Sequence, residues 1–106
     1  MKRLKRRYLA LKIDSDLSVS DRELIDAVWN AITRLYGEFG ASLASLVLID
    51  YDCEKKLAIL RCNLSVINET RTALATIISI SQKAVAVHVL AVSGTIKALR
   101  QKLKKN

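Results

Sequence analysis

The chain has 106 residues, 51% of them hydrophobic, with no proline, three glycines and a formal charge of +8. That length bounds it to one domain with a modest core, and no apolar run reaches the roughly 20 residues of a membrane span. Its charge is segregated: eleven of the 18 basic residues lie in residues 1–12 and 97–106, where there is no acid, and the other seven share residues 13–96 with all ten acids. Such a pattern points to a polyanion met at the two ends, with a solvated surface as the plainer alternative. Cys53 and Cys62 have neither a CxxC spacing nor a nearby histidine, so they read as structural thiols. The basic N-terminus leads into an apolar run too short for a secretory signal, and a reducing, cytoplasmic setting is expected.

In chain order, residues 1–6 form a basic arm. Tyr8–Ile13 alternates Leu9, Leu11 and Ile13 with Tyr8, Ala10 and Lys12, the period of a strand. Asp14–Val19 reads as a loop. Ser20 with Glu23 makes a capping box, and apolar residues then recur at helical spacing from Asp21 to Tyr36, where Gly37 stops them. Gly40 permits a second unusual turn. Leu43–Tyr51 and Lys56–Leu64 read as strands joined by the polar turn 52–55, a hairpin. Val66–Ile78 has helical period, with Ser65 as its cap. Ala84–Val92 reads as a strand, with Val85, Val87 and Val89 on one face. Ser93-Gly94 breaks it, and Thr95 caps a basic helix over residues 95–106 with the stripe Ile96, Leu99 and Leu103.

The order β-α-β-β-α-β plus a C-terminal helix is the ferredoxin-like arrangement of the α+β class, as in RNA-recognition domains: a four-stranded antiparallel sheet with two helices on one face. The other face is not wholly polar in this chain. Either the C-terminal helix or a partner protein is expected to cover it.

Chemistry-bearing patterns are few. RNA-recognition domains of this topology stack bases on strand aromatics, and only Tyr8 and Tyr51 sit in strands; both read first as structural or interface residues and only second as RNA contacts, Tyr51 less so than Tyr8 because it ends its strand. A base-stacking platform is therefore poor, and contact through phosphates and shape fits better. Arg61 lies inside a strand and needs an anionic partner, either a carboxylate or a phosphate. Ser93-Gly94-Thr95 precedes a helix whose backbone donors suit a phosphate, or is simply a turn and cap. His88 reads as a packed or surface residue, and Asp50, Asp52 and Glu54 as ordinary hairpin-tip chemistry. No metal-binding or nucleophilic constellation is legible.

Several segments together resemble the family of archaeal ribonuclease P protein component 2, shared with eukaryotic ribonuclease P and ribonuclease MRP. They are Arg7-Tyr8-Leu9, Tyr36-Gly37-Glu38-Phe39-Gly40-Ala41, Leu60-Arg61-Cys62 and Val92-Ser93-Gly94-Thr95-Ile96, in that order, spanning about Arg6 to Lys102. Asn63 departs from the basic residues that relatives carry after the arginine. The resemblance implies a subunit of a ribonucleoprotein that removes the 5′ leader of precursor transfer RNA. Catalysis would lie in the RNA, whose phosphates hold Mg2+, and the protein itself would bind no cofactor. Implied partners are ribonuclease P RNA, precursor transfer RNA and a TIM-barrel-like protein subunit, the pair assembling further into a heterotetramer. Residue by residue, the resemblance and the charge pattern nominate Lys5, Arg6, Arg7, Tyr8, Arg61, Gly94, Thr95, Lys97, Arg100 and Lys104 for the RNA side. Competing readings are another small RNA-binding protein of this fold, such as a ribosomal one, or a stand-alone enzyme or small-molecule module.

Overall fold

The alternation around Leu9–Ile13 produces strand β1 (Arg6–Asp14), which extends the expected strand at both ends and draws Arg6 and Arg7 into it. The computed structural model describes residues 5–104, apart from details of residues 39–43. After β1 come α1 (Asp21–Ala44), β2 (Val47–Asp52), β3 (Leu57–Asn63), α2 (Ile67–Ala75), β4 (Ser79–Ile80), β5 (Lys83–Ala84), β6 (Ala86–Ser93) and α3 (Ile96–Lys104). The main sheet has the order β2-β3-β1-β6 with every neighbour antiparallel. This is the expected ferredoxin-like core with an added C-terminal helix.

The capping box at the start of α1 is made reciprocally. The Ser20 N–H donates to Glu23 Oε1 at 3.0 Å and the Glu23 N–H to Ser20 Oγ at 3.2 Å. Leu24, Val28 and Ile32 then bury one stripe against the sheet. Gly37 breaks the helix as expected, at φ 76 and ψ 175, a conformation with little penalty only for glycine. The chain returns to helix as far as Ala44, so the strand expected from Leu43 begins only at Val47. An apolar run of this length fits either period; burial of Ala44 and Leu46 in the core decides it, and Ser45 makes the turn between them at φ 47. The turn expected at Gly40 lies outside the described residues.

The second helix differs more. A single 3-10 turn, Leu64–Val66, takes up Ser65, and Val66 stands at the cap position with no side-chain bond, so Ser65 is not the cap. Helix α2 stops at Ala75 instead of running to Ile78. The Thr76 hydroxyl donates back to the Ala73 carbonyl at 2.7 Å, and two β-branched isoleucines follow, which favours leaving the helix. Ile77 turns into the core while Ile78 is 79% exposed. Beyond them the chain forms a small hairpin, β4–β5, that no periodicity announced. Ser81 and Gln82 occupy its tip at φ 51 and 68, the left-handed pair of a tight hairpin turn. Glu23 anchors it: Lys83 Nζ lies 3.2 Å from Glu23 Oε2 and donates to the Ser18 carbonyl at 2.7 Å. The Ser81 hydroxyl, then the Ser20 backbone and the Lys83 ammonium, hold the Glu23 carboxyl at a pKa of about 2.

The main core fills the space between the sheet and helices α1 and α2, around Leu9, Leu11, Leu24, Val28, Leu60 and Leu74. A second core lies on the opposite face. There Leu99 of α3, fully buried, packs on Ala10 and Ile59, with Tyr8, Ile49, Ala91 and Leu103 around it. Two register breaks serve this arrangement. Ile49 is the extra residue of β2 and Leu90 of β6, flanking the pair Ala10–Ile59. Each bulge changes the face parity of its strand, so Leu48 and Val92 stay in the main core while Ile49 and Ala91 meet α3.

Leu99→Ala should destabilise the protein by about 2–5 kcal/mol, the range for emptying a fully buried leucine, and loosen α3; urea unfolding with far-UV dichroism measures it, and a midpoint equal to wild type would contradict this packing. The Glu23 carboxyl is depressed from 4.5 to about 2, so its ionised form contributes stability above the upper value that is lost as pH falls through the lower one. Accordingly, the melting-temperature advantage of the wild type over Glu23→Gln should be constant near neutrality and shrink between pH 4.5 and about 2.

Candidate nucleic-acid interface

Antiparallel pairing brings several nominated residues to one end of the sheet. Tyr8 lies directly opposite Arg61 of β3 and Ser93 of β6, and Val47 of β2 completes the row. One step outward, Arg6 faces Asn63. All of these are on the α3 side of the sheet. The Lys5 carbonyl accepts the Leu64 N–H at 2.9 Å, so the backbone of the basic arm is tied to the end of β3 from that residue onward.

Arg7 alternates to the other side of β1, yet its guanidinium returns to the same end. Nη1 donates to the Arg6 carbonyl at 2.9 Å. It also lies against Gly94 in the β6–α3 turn, where an added Cβ would sit 3.4 Å from Nη1. Thr95 is occupied as a cap: its Oγ1 accepts the Ala98 N–H at 3.1 Å, and its carbonyl accepts the Leu99 N–H at 3.1 Å. Lys97 follows, exposed in the first turn of α3, which holds no acid.

Among the described residues the ion pairs are Lys83–Glu23 and Arg100–Asp50. Lys5, Arg6, Arg7, Arg61 and Lys97 therefore gather at one end with no carboxylate to balance them. A helix start carries its own partial positive charge, which adds to the potential there.

Two nominated residues are not part of this cluster. Arg100 turns towards β2 and reaches Asp50 at 3.5 Å, in a pair more than half exposed on both sides. Lys104 lies at the far end of α3. Arg100 and Leu103 border a shallow groove of about 180 Å³ shared with Asp50, Asp52 and Leu57 of the β2–β3 hairpin. Asp52 is engaged as a turn cap, its Oδ1 accepting the Glu54 and Lys55 N–H groups at 3.1 Å each.

The aromatics follow the same division. Tyr51 faces the main core, its hydroxyl donating to the Val19 carbonyl at 2.6 Å, and burial raises its pKa above the ordinary value. It tethers the hairpin to the loop before α1 from the main-core side of the sheet. Tyr8 is half-buried beside the Leu99 cluster, so its ring is partly covered by α3. The face that other domains of this topology use for base stacking is thus taken by a helix. His88 is exposed opposite Lys12. Among the described residues no three His, Cys, Asp or Glu side chains group together as for a metal.

Two participants escaped the sequence reading. Ser93 is buried in the Tyr8 row; its place beside Gly94 was visible, but its burial depends on α3 folding back. Asp50 as the partner of Arg100 is separated from it by 50 residues, and no local pattern links them. Elsewhere, a groove of about 590 Å³ runs between α1 and the β4 segment, lined by Arg22, Asp26, Asn30, Arg34 and Ile78.

The comparisons with known proteins bear on the family and the fold. The model of the Rpp14/Pop5 family matches residues 7–104. "Ribonuclease P protein component 2" of Pyrococcus abyssi is 37% identical over 92% of this chain and 83% of its own length. The protein of the same name from Methanobrevibacter smithii is 38% identical over 93% and 88%, and that from Methanosarcina barkeri 34% identical over 98% and 76%. In structure, a chain of yeast ribonuclease MRP solved by cryo-electron microscopy superposes with a TM-score of 0.69 over 99% of this chain and 95% of that one; at 18% identity it attests the fold. With the family's pattern running from Arg7 to the end of α3, the chain belongs to the Rpp14/Pop5 family, to which its relatives named ribonuclease P protein component 2 connect it.

Proposed function

We propose that the basic end of the sheet, where β1 begins, β3 and β6 end and α3 starts, is the surface by which this chain holds the RNA of ribonuclease P. Family membership gives the chain the role of a protein subunit of that ribonucleoprotein, with the chemistry carried by the RNA. The observation that supports the location is the cluster of Lys5, Arg6, Arg7, Arg61 and Lys97 without a carboxylate partner among the described residues. Of the two partners open to Arg61, no carboxylate among the described residues pairs with it, which supports the phosphate. With Tyr8 half-covered, the contact is through backbone phosphates and RNA shape, not through stacked bases.

The finer reading follows from this. The RNA, braced by the protein, removes the 5′ leader of precursor transfer RNA, and the Mg2+ ions of the reaction sit on RNA phosphates. A TIM-barrel-like protein subunit binds as well, and the pair assembles into a heterotetramer. Helix α3 covers the middle of the apolar sheet face and leaves Val47 of β2 exposed. Exposed Leu35, Tyr36 and Ile78 on the helical side offer further apolar surface for that protein. A cytoplasmic setting accords with the free thiols of Cys53 and Cys62.

Replacing Arg6, Arg61 and Lys97 together by glutamine should weaken binding to ribonuclease P RNA and reduce the salt dependence, log K against log salt, by about 2–3, the slope expected for three phosphate contacts. The melting temperature should change little, since none of the three makes an ion pair. Filter binding over a salt series measures it, and an unchanged slope would put the RNA surface elsewhere.

A further inference from the structure

Gly37 and Gly94 are glycines for different reasons. Gly37 sits at φ +76 with nothing within 4 Å of a would-be side chain, so its backbone requires glycine while the space around it does not. Gly94 is the reverse. Its φ lies outside the left-handed region, so a side chain meets no backbone strain there. What fills its side-chain space is Arg7: a Cβ would lie 3.4 Å from Nη1 and 3.8 Å from Cζ. An alanine methyl would stand in ordinary contact with the guanidinium, and a larger side chain competes with it for that space.

The guanidinium is held at a second point as well, by the 2.9 Å bond from Nη1 to the Arg6 carbonyl. An arginine at a strand end ordinarily keeps its rotamer freedom in solvent. Here it is folded back along the sheet end, and no carboxylate among the described residues accounts for that. Four of its five N–H groups remain free of that bond, in the planar fork that matches a phosphate.

We propose that Gly94 is a seat for Arg7: by lacking a side chain, it lets the β6–α3 turn hold the guanidinium where it binds an RNA phosphate. The proposal rests on the reading of this end of the sheet as the RNA surface. Arg7 makes the contact, and Gly94 is a positioning residue. Fixing the long side chain beforehand removes part of the ordering cost of binding.

The test is a cycle of Arg7→Ala, Gly94→Val and the double variant, with ribonuclease P RNA as the probe over a salt series. Arg7→Ala and Gly94→Val should each lower affinity about tenfold, the loss of one charge-assisted hydrogen bond, and reduce the salt slope by about 0.7–0.9, one phosphate. The double variant should bind no more weakly than Arg7→Ala alone, and Gly94→Ala should bind like wild type. If Gly94→Val unfolds the α3 junction, Gly94→Leu, unbranched at Cβ, makes the same test. The seat is overturned if Gly94→Val leaves affinity unchanged, or weakens binding equally with and without Arg7. That result beside a reduced slope in the Arg6/Arg61/Lys97 variant removes the seat alone; an unchanged slope in that variant removes the RNA surface and the seat together.

Discussion

Strand β1 is buried on both faces. Leu9, Leu11 and Ile13 point into the main core and Ala10, 2% exposed, points the other way. A strand in this position needs a layer on each side, because leaving either face in water forfeits apolar burial worth about 25 cal/mol per Å². Helices α1 and α2 supply one layer and α3 the other. From this constraint follow the two bulges, which re-aim Ile49 and Ala91 towards α3, and the small size of Ala10 and Ala91, which lets Leu99 approach closely enough to be fully enclosed.

The same constraint shapes the surface proposed for RNA. With α3 lying across the sheet, the middle of that face is no platform for bases, and Tyr8 is left with a partly covered ring. What stays open is the sheet's end. There the strands terminate in Arg6, Arg7 and Arg61, and α3 begins with Lys97. Asp50 and Asp52 lie away from it, where Asp50 takes Arg100 and Asp52 caps its own turn. Apolar packing thus leaves little room for stacking on this face and leaves the cations of the strand ends exposed to solvent. A subunit that braces a catalytic RNA is served by such a surface: phosphates repeat along any RNA, and contact with them positions without reading sequence.

Legibility in the sequence was uneven, and the reasons are local. The capping box and Gly37 were readable because each acts within a few residues: a reciprocal bond over three positions, and a backbone angle favoured only in glycine. The end of α2 was not, because Thr76 turned its hydroxyl onto the Ala73 carbonyl, a competition that helical periodicity does not register. Nor was the β4–β5 hairpin, whose tip is Ser81-Gln82 in place of the usual glycine or asparagine and whose anchor is Glu23, nearly sixty residues earlier. At the candidate site, the strand ends and the start of α3 gather Lys5, Arg6, Arg7, Arg61 and Lys97, while Arg100 and Lys104 lie away from that cluster.

By itself the sequence determined the order of elements, the one clearly apolar face of β1, the placement of charge at the chain's ends and the family pattern from Arg7 to Ile96. All of these are properties of neighbours along the chain. Only the tertiary structure decided that the C-terminal helix packs across the middle of the sheet; that Tyr51 belongs to the core side; that Arg100 is tied to Asp50; and that Arg7 rests on Gly94. They depend on strand register and on contacts between residues far apart in the chain, 32 positions for Tyr51 and Val19 and 50 for Arg100 and Asp50. Those distances are set by the packing of the whole core, and no window of sequence contains them.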